Sequence, residues 1–456
     1  MSRLPLPVSG AKPVIGHLTE FYRSPEELFR RGYDEHGGVF SFALPGKRAV
    51  ALLGPERGRF FFSETDRTLS IRPAYPFVAR LFAPDFYFAA EFEDYKRQRQ
   101  IVLPRFQGRQ LEGYVAAMDQ EVMDFVEALG DSGEFNLTDC FAPLAARIAA
   151  RCFLGPDLAS AIDQDFFPEF RRFAGGLAPF PPGWVPLPKF IRSRHARDRL
   201  RAMLSTMIAR RRVVPLDPPD FLQAIAEARY SDDERVPDLV LVNLILLLIV
   251  GGHETTAGHM SWALADLLGS SNDLTRVWTE SVAAFAGGAP DLVGTKLLRH
   301  LDNCLLETER LHPVANMLVR EAVKPIEVDG YTIPPGTLVF ASPAVSHRLP
   351  GEWPRPEDYL PDRFAQDDGK SARQALIGFG GATHRCLGLH FAYLEMKVVL
   401  SRLLTHFDME LLDGPPQPVR GWRTKWPASP CRVRYRRVAG GEVSGEYRSR
   451  DVAARN

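Results

Sequence analysis

Short, mostly apolar β-like runs occur at residues 39–42 and 49–53, which predicts two short strands near the start of the chain. From about residue 95 to 311 the apolar positions recur at three- and four-residue intervals, the spacing of one helix face. Apolar and polar positions alternate at residues 326–340, where Asp329-Gly330 is a hairpin turn signal, and at residues 431–435. Strands that bracket a run of helices without alternating with them argue against a doubly wound sheet. The expected fold class is therefore mainly α with small β-sheets.

The most apolar stretch, residues 239–250, is too short to span a bilayer, and Gly251, Gly252, His253 and Glu254 follow at once. It reads as the first half of a long buried helix over about 237–268, apolar on nearly all sides because protein surrounds it. On a 3.6-residue period Gly251, Gly252, Thr255 and Gly258 share a face and form a groove. Each glycine forfeits roughly 1 kcal/mol relative to alanine, so the groove must receive something close-fitting, another helix or a flat ligand. Glu254 and Thr255 beside it are polar groups in an apolar helix. Either they are satisfied locally, the Thr by its own helix, or they are retained for proton handling.

Lys plus Arg and Asp plus Glu number 56 each among 456 residues, so no global field recruits nucleic acid or an anionic membrane. The Pro-rich opening, residues 1–22, has no apolar core of the kind a signal peptide or membrane anchor needs, and a cytoplasmic protein is expected. No linker divides the chain, so residues 1–437 read as one domain and 438–456 as a flexible tail. The proline-rich stretch 178–188, with Phe180, Trp184 and Val185, is a packed connector or the lip of a substrate entrance.

The five cysteines are odd in number and have neither disulfide nor zinc-like spacing. Cys140, Cys152 and Cys304 sit among apolar neighbours and read as packing. Cys386 differs, because it lies in the glycine-rich turn FGGATHRCLG, from Phe379 to Gly388, just before a helical pattern. Backbone N–H groups and the helix dipole there stabilise a thiolate, which can ligate a metal. Glu307 and Arg310 in ETER fall at i and i+3 on one helix face, and Arg363 lies in the turn PDRF.

Together FGGATHRCLG, GGHETT, ETER with PDRF, and YKRQR (Tyr95 to Arg99) resemble, in order and spacing, the motifs of the cytochrome P-450 superfamily. The resemblance covers about residues 33–417. It implies a cytochrome P-450 fold with haem b between the central helix and the cysteine loop, and no flavin. By the same resemblance Cys386 is the iron ligand, Glu254 the acid and Thr255 the alcohol of oxygen activation, and Glu307, Arg310 and Arg363 a structural triad. Arg99, Arg320 and His384, with Tyr75 as a further candidate, would neutralise the haem propionates, while Phe379, Gly251 and Gly252 would lie against the cofactor. Tyr95 replaces the usual Trp of its motif. Ala382 stands where the loop usually has glycine, so a left-handed backbone there would be strained.

Within the superfamily the likeness is to soluble bacterial sterol 14α-demethylases, through AYPF at 74–77, GGH at 251–253 and ASPAVSHRLPGEWPRPEDYLPDRF from Ala341. Glu254 replaces their second His, and PDFYFAAE lacks the Gly and Asp of their substrate segment. The implied activity is monooxygenation of a sizeable terpenoid, steroid or polyketide-like molecule with O2 and electrons from a ferredoxin-type partner. Sterol 14α-demethylation is the alternative. Phe77, Phe82, Phe86, Met317 and Leu318 are candidate pocket linings, with core packing as the competing role. Arg97, Arg105 and Arg385 are a candidate partner patch, and a monomer is expected. The rivals are a peroxygenase or isomerase that needs no protons from Glu254 and Thr255, a haem carrier or sensor, and a metal-dependent cyclase built on Asp232, Asp233 and Glu234.

Overall fold

The two predicted runs form strands, Val39–Leu44 (β1) and Lys47–Leu52 (β2), which pair antiparallel. The computed structural model describes residues 3–108, 110–155, 166–176, 187–285, 288–365, 369–421 and 424–438. The expected tail from 439 onward and the connector at 178–186 lie outside them. The other strands are Leu69–Ser70 (β3), Ser132–Asn136 (β4), Leu318–Ala322 (β5), Ile326–Val328 (β6), Tyr331–Ile333 (β7), Leu338–Ala341 (β8), Phe407–Leu411 (β9) and Arg432–Arg437 (β10).

Three sheets result: β1-β2-β8-β5-β3, with β2 and β8 parallel; β4-β10-β9; and the hairpin β6-β7. The hairpin turns at Asp329-Gly330, both at positive φ (49° and 76°), the mirror-image turn that matches strand twist. In β10 Val433 and Tyr435 face the core while Arg432 and Arg434 face water. The sheets do bracket a helical body. β4, however, interrupts the stretch expected to be helical, because its SGEFN sequence finds its partner only in β10, some 300 residues later.

The helical body is organised by the central helix Asp238–Leu268, which Pro237 precedes as its N-cap. It packs most extensively on Leu137–Leu154 and also touches Arg299–Leu311, Pro188–Val213 and Leu389–His406. Although long and apolar enough in composition to cross a membrane, it is a core helix here. From Thr256 to Ala265 every residue is buried, whereas Gly251, Glu254 and Thr255 in the same helix are exposed. A helix wrapped by others, but open for about one turn, places an accessible face inside the molecule.

Candidate active site

The turn from Phe379 to Gly388 closes on itself, with the Cys386 N–H donating to the Phe379 carbonyl at 2.7 Å. Gly380 has φ +74°, and a Cβ there would lie 2.6 Å from the His384 carbonyl oxygen, so that position requires glycine. Ala382 has φ +48°, the left-handed conformation in which a side chain is strained. The Cys386 side chain retains accessible surface while protein encloses it closely enough for burial to raise its thiol pKa, so the sulfur faces an internal space. The Gly388 N–H, donated to the sulfur, and the nearby Arg99 and Arg385 act in the opposite sense and favour the thiolate. Cys152 and Cys304 are buried, with thiol pKa values raised by burial, as packing cysteines should be.

Around the loop a set of cationic and hydroxyl groups converges. Arg99, one turn after Tyr95 on Phe92–Val102, donates to the Arg385 carbonyl at 2.9 Å and lies 3.5 Å from the Tyr95 and Tyr87 hydroxyls. Tyr95 stacks on His384 at 4.6 Å and donates to the Thr383 carbonyl. His384 Nε2 meets Asp66 at 2.5 Å, while its buried Nδ1 has no hydrogen-bond partner among the described residues. Arg320, on β5, is buried over the Phe61 ring beside Thr65 and Tyr75, and burial lowers its pKa. Among the described residues no carboxylate pairs with Arg99 or Arg320. A cavity of about 320 Å³ lined by Asp66, Arg72, Tyr87, Tyr95 and His384 opens on this group. Tyr75 joins it through the Val319 N–H, at 3.4 Å.

The helix face opposite in role is equally specific. A Cβ at Gly251 would meet nothing within 4 Å and one at Gly252 only Ala149 at 3.8 Å, whereas one at Gly258 would press on Trp426 at 3.0 Å. The expected four-residue groove therefore divides: Gly251, Gly252 and Thr255 line an open face, and Gly258 is a packing glycine for an indole ring. The Thr255 hydroxyl donates to the Gly251 carbonyl at 2.5 Å. Glu254 is exposed, not buried as its apolar surroundings suggested, because the helix is open at this turn. His253 lies edge-on to Phe170 and is driven to a pKa of about 4 by burial, so it is neutral at pH 7.

Glu307 and Arg310 are fully buried and bonded twice, at 2.8 Å each, and Arg363 reaches Glu307 at 3.0 Å. Arg310 also donates to the carbonyls of His347, Pro356 and Asp358, and Glu307 accepts the Leu360 N–H. With these bonds the pair's desolvation is compensated.

The pocket candidates divide. Phe82 and Phe86 are buried against each other at 5.2 Å, with Phe173 on Phe82, so packing describes them. Phe77, Met317 and Leu318 are half-buried. Within the expected basic patch Arg97 is paired with Asp232 and Glu234 at 2.8 and 2.7 Å and lies over Tyr230. The same pairing occupies the acidic cluster on which a cyclase would depend. Arg105 is half-buried and Arg385 exposed. Asp66, Tyr87 and Glu309 were not anticipated. No local motif marks the first two, but Glu309 is visible within ETER as a second acid on an otherwise apolar face.

These residues fit haem. It would bring a flat apolar face to Gly251 and Gly252, an iron for the sulfur, and two carboxylates for Arg99, Arg320 and the unsatisfied His384 Nδ1.

The chain matches the model of the Cytochrome P450 family over residues 5–432. It is 33% identical to the sterol 14α-demethylase of Mycobacterium tuberculosis, covering 96% of this chain and all of that one. It is 29% identical to the human lanosterol 14-alpha demethylase, over 88% and 80% of the two chains. Among solved structures the retinoic acid-bound cyanobacterial CYP120A1 superposes with a TM-score of 0.86 at 27% identity, over 96% of this chain and 100% of that one. A family match over nearly the whole length, on a fold that converges these groups around one cysteine, shows that the chain belongs to the cytochrome P450 family, haem b monooxygenases of apolar substrates.

Proposed function

We propose that this protein oxidises a sizeable apolar substrate, terpenoid, steroid or polyketide-like, on haem held by Cys386, with electrons from a ferredoxin. The observation that carries the assignment of the site is His384. Among the described residues the buried His384 Nδ1 has no hydrogen-bond partner and no carboxylate pairs with the two arginines nearby, a cluster suited to receive anionic groups. Arg99, Arg320 and His384 would hold the propionates, with Tyr75 beside Arg320. Haem so held supplies reductive activation of O2 and insertion of one oxygen atom into a C–H bond.

The chain's own residues then handle protons and water. The Thr255 hydroxyl donates to the Gly251 carbonyl, which leaves its oxygen lone pairs to accept a hydrogen bond and so to position a proton-carrying water on the open face. Glu254, exposed at the adjacent position, takes protons from water. Neutral His253 and Phe170 close the neighbouring side with apolar surface. Glu307, Arg310 and Arg363 hold the fold beneath the cysteine loop without touching the reaction. We assign the protein as a cytoplasmic monomer forming one domain, its redox partner docking near exposed Arg385.

A second reading, sterol 14α-demethylation, draws support from the named relatives at 33% and 29% identity. Titration of the purified holoprotein with sterols, sesquiterpenes, diterpenes and macrolides, read as a haem spin-state shift, separates the two. A response to sterols alone selects the demethylase, and a response to none of the four classes removes the proposal. A reduced, CO-bound spectrum without the red-shifted thiolate band would overturn Cys386.

A further inference from the structure

Glu309 has no part in the scheme above, yet it makes the bonds that tie down both ends of the cysteine segment. It lies between Glu307 and Arg310 in sequence, on the helix Arg299–Leu311, slightly over half a turn around from the former. Its buried carboxylate accepts the backbone N–H groups of Gly378 and Phe379, where the chain enters the loop that leads to Cys386. It also accepts the Tyr393 hydroxyl, at 3.0 Å, from the helix Leu389–His406 by which the chain leaves. The Tyr393 ring packs on Phe379 at 5.6 Å, and both rings touch His259 of the central helix at 6.2 Å. The fit is close, since a Cβ at Gly378 would stand 2.8 Å from Glu309 Oε1, so only glycine at 378 lets the carboxylate reach the backbone.

No cation pairs with Glu309 at salt-bridge distance among the described residues. Arg310 is committed to Glu307 and three carbonyls, and Arg385 acts only through space. Burial pushes the carboxyl up to about 7. A residue needed only to fill that space would be apolar. A carboxylate there is explained by its three donors, two of them the backbone of the loop itself.

We propose that Glu309 is a positioning residue for the sulfur ligand: it clamps residues 378–379 and Tyr393 to one carboxylate, and places a negative charge behind the Cys386 segment. The proposal rests on the reading of Cys386 as the haem ligand. It makes the thiolate's geometry and donor strength depend on a residue that touches neither haem nor substrate.

The test uses the haem-loaded Glu309→Gln and Tyr393→Phe variants beside the wild type. The first readout is the rate at which the red-shifted band of the reduced CO complex is lost in mild denaturant. Loss should be about 10- to 100-fold faster in Glu309→Gln, the range for removing a charged hydrogen-bond acceptor, and less accelerated in Tyr393→Phe, which removes one bond of three. The second readout is the reduction potential at pH 8. It should rise in Glu309→Gln, because a negative charge behind the sulfur is gone, and stay constant in Tyr393→Phe. A residue serving packing alone would change unfolding and leave the potential where it was. Should Glu309→Gln fail to accumulate as holoprotein, Tyr393→Phe tests the clamp, and an unaccelerated loss of the band refutes it. Band loss within twofold of wild type together with an unchanged potential overturns the proposal while leaving Cys386 in place. A wild type that itself lacks the band overturns both.

Discussion

Glu395 should make the folded protein less stable as pH rises. It sits on Leu389–His406 with no exposure, and among the described residues neither carboxyl oxygen has a hydrogen-bond partner. One turn earlier Phe391 packs against Phe106, Tyr114 and Phe153, so its own helix leads into an aromatic core. Burial alone holds the carboxyl well above its ordinary value of 4.5, and no cation offsets it. The folded state therefore keeps a proton that the unfolded chain releases. The group's contribution is fully present below 4.5 and declines by about 1.4 kcal/mol per pH unit until the folded pKa is reached. Replacing Glu395 by Gln removes the titration and little volume, so the stability of Glu395→Gln minus that of wild type should grow by about 1.4 kcal/mol per unit from pH 5 upward. Replacing it by Leu also removes the unpartnered polar group and should add about 1–3 kcal/mol at neutral pH. Equilibrium urea unfolding of the holoprotein at pH 5, 6, 7 and 8, followed by far-UV circular dichroism, measures both. Glu309, also raised by burial, contributes in the same sense but cancels in the difference. Parallel pH profiles for wild type and Glu395→Gln would refute the reasoning, because they would mean that the carboxyl ionises alike in folded and unfolded chains.

Glu307→Gln should cost about 3–5 kcal/mol, since Arg310 would remain buried without a counter-charge, and is checked by the haem content and urea midpoint of the purified variant. Thr255→Ala should preserve NAD(P)H consumption while product formation falls by about tenfold or more and hydrogen peroxide rises, the loss expected when one positioned proton-transfer group is removed. Unchanged coupling would instead favour a peroxygenase or isomerase. Ala382→Gly should stabilise the protein by about 1 kcal/mol by relieving the positive φ, without moving the CO band. A lower unfolding temperature by calorimetry would contradict that account.

The parts of this site legible in the sequence are those whose chemistry confines several residue types to a few consecutive positions. A thiolate needs a tight turn before a helix, and Phe379 to Gly388 supplies both within ten residues. An open face on a buried helix needs small residues at helical spacing, and Gly251, Gly252 and Thr255 provide it. Even there the period was not enough, because Gly258 fits the same face and only the fold shows Trp426 filling it. The pairing of Arg97 was illegible for the same reason, since its partners Asp232 and Glu234 are more than 130 positions away. β4 and β5 were missed because short strands owe their existence to the partner strand, not to local pattern. Glu309 and Glu395 sharpen the point. Both are glutamates on amphipathic helices, both are buried and both are shifted upward, but one has three donors and the other has none. Those surroundings, assembled from distant segments, make the first a candidate clamp on the cysteine loop and the second a stability liability that titrates. Exchanging the sign of either outcome, a Glu309→Gln protein that holds its thiolate band or a Glu395→Leu protein that is less stable than wild type, would show that the surroundings had been misread.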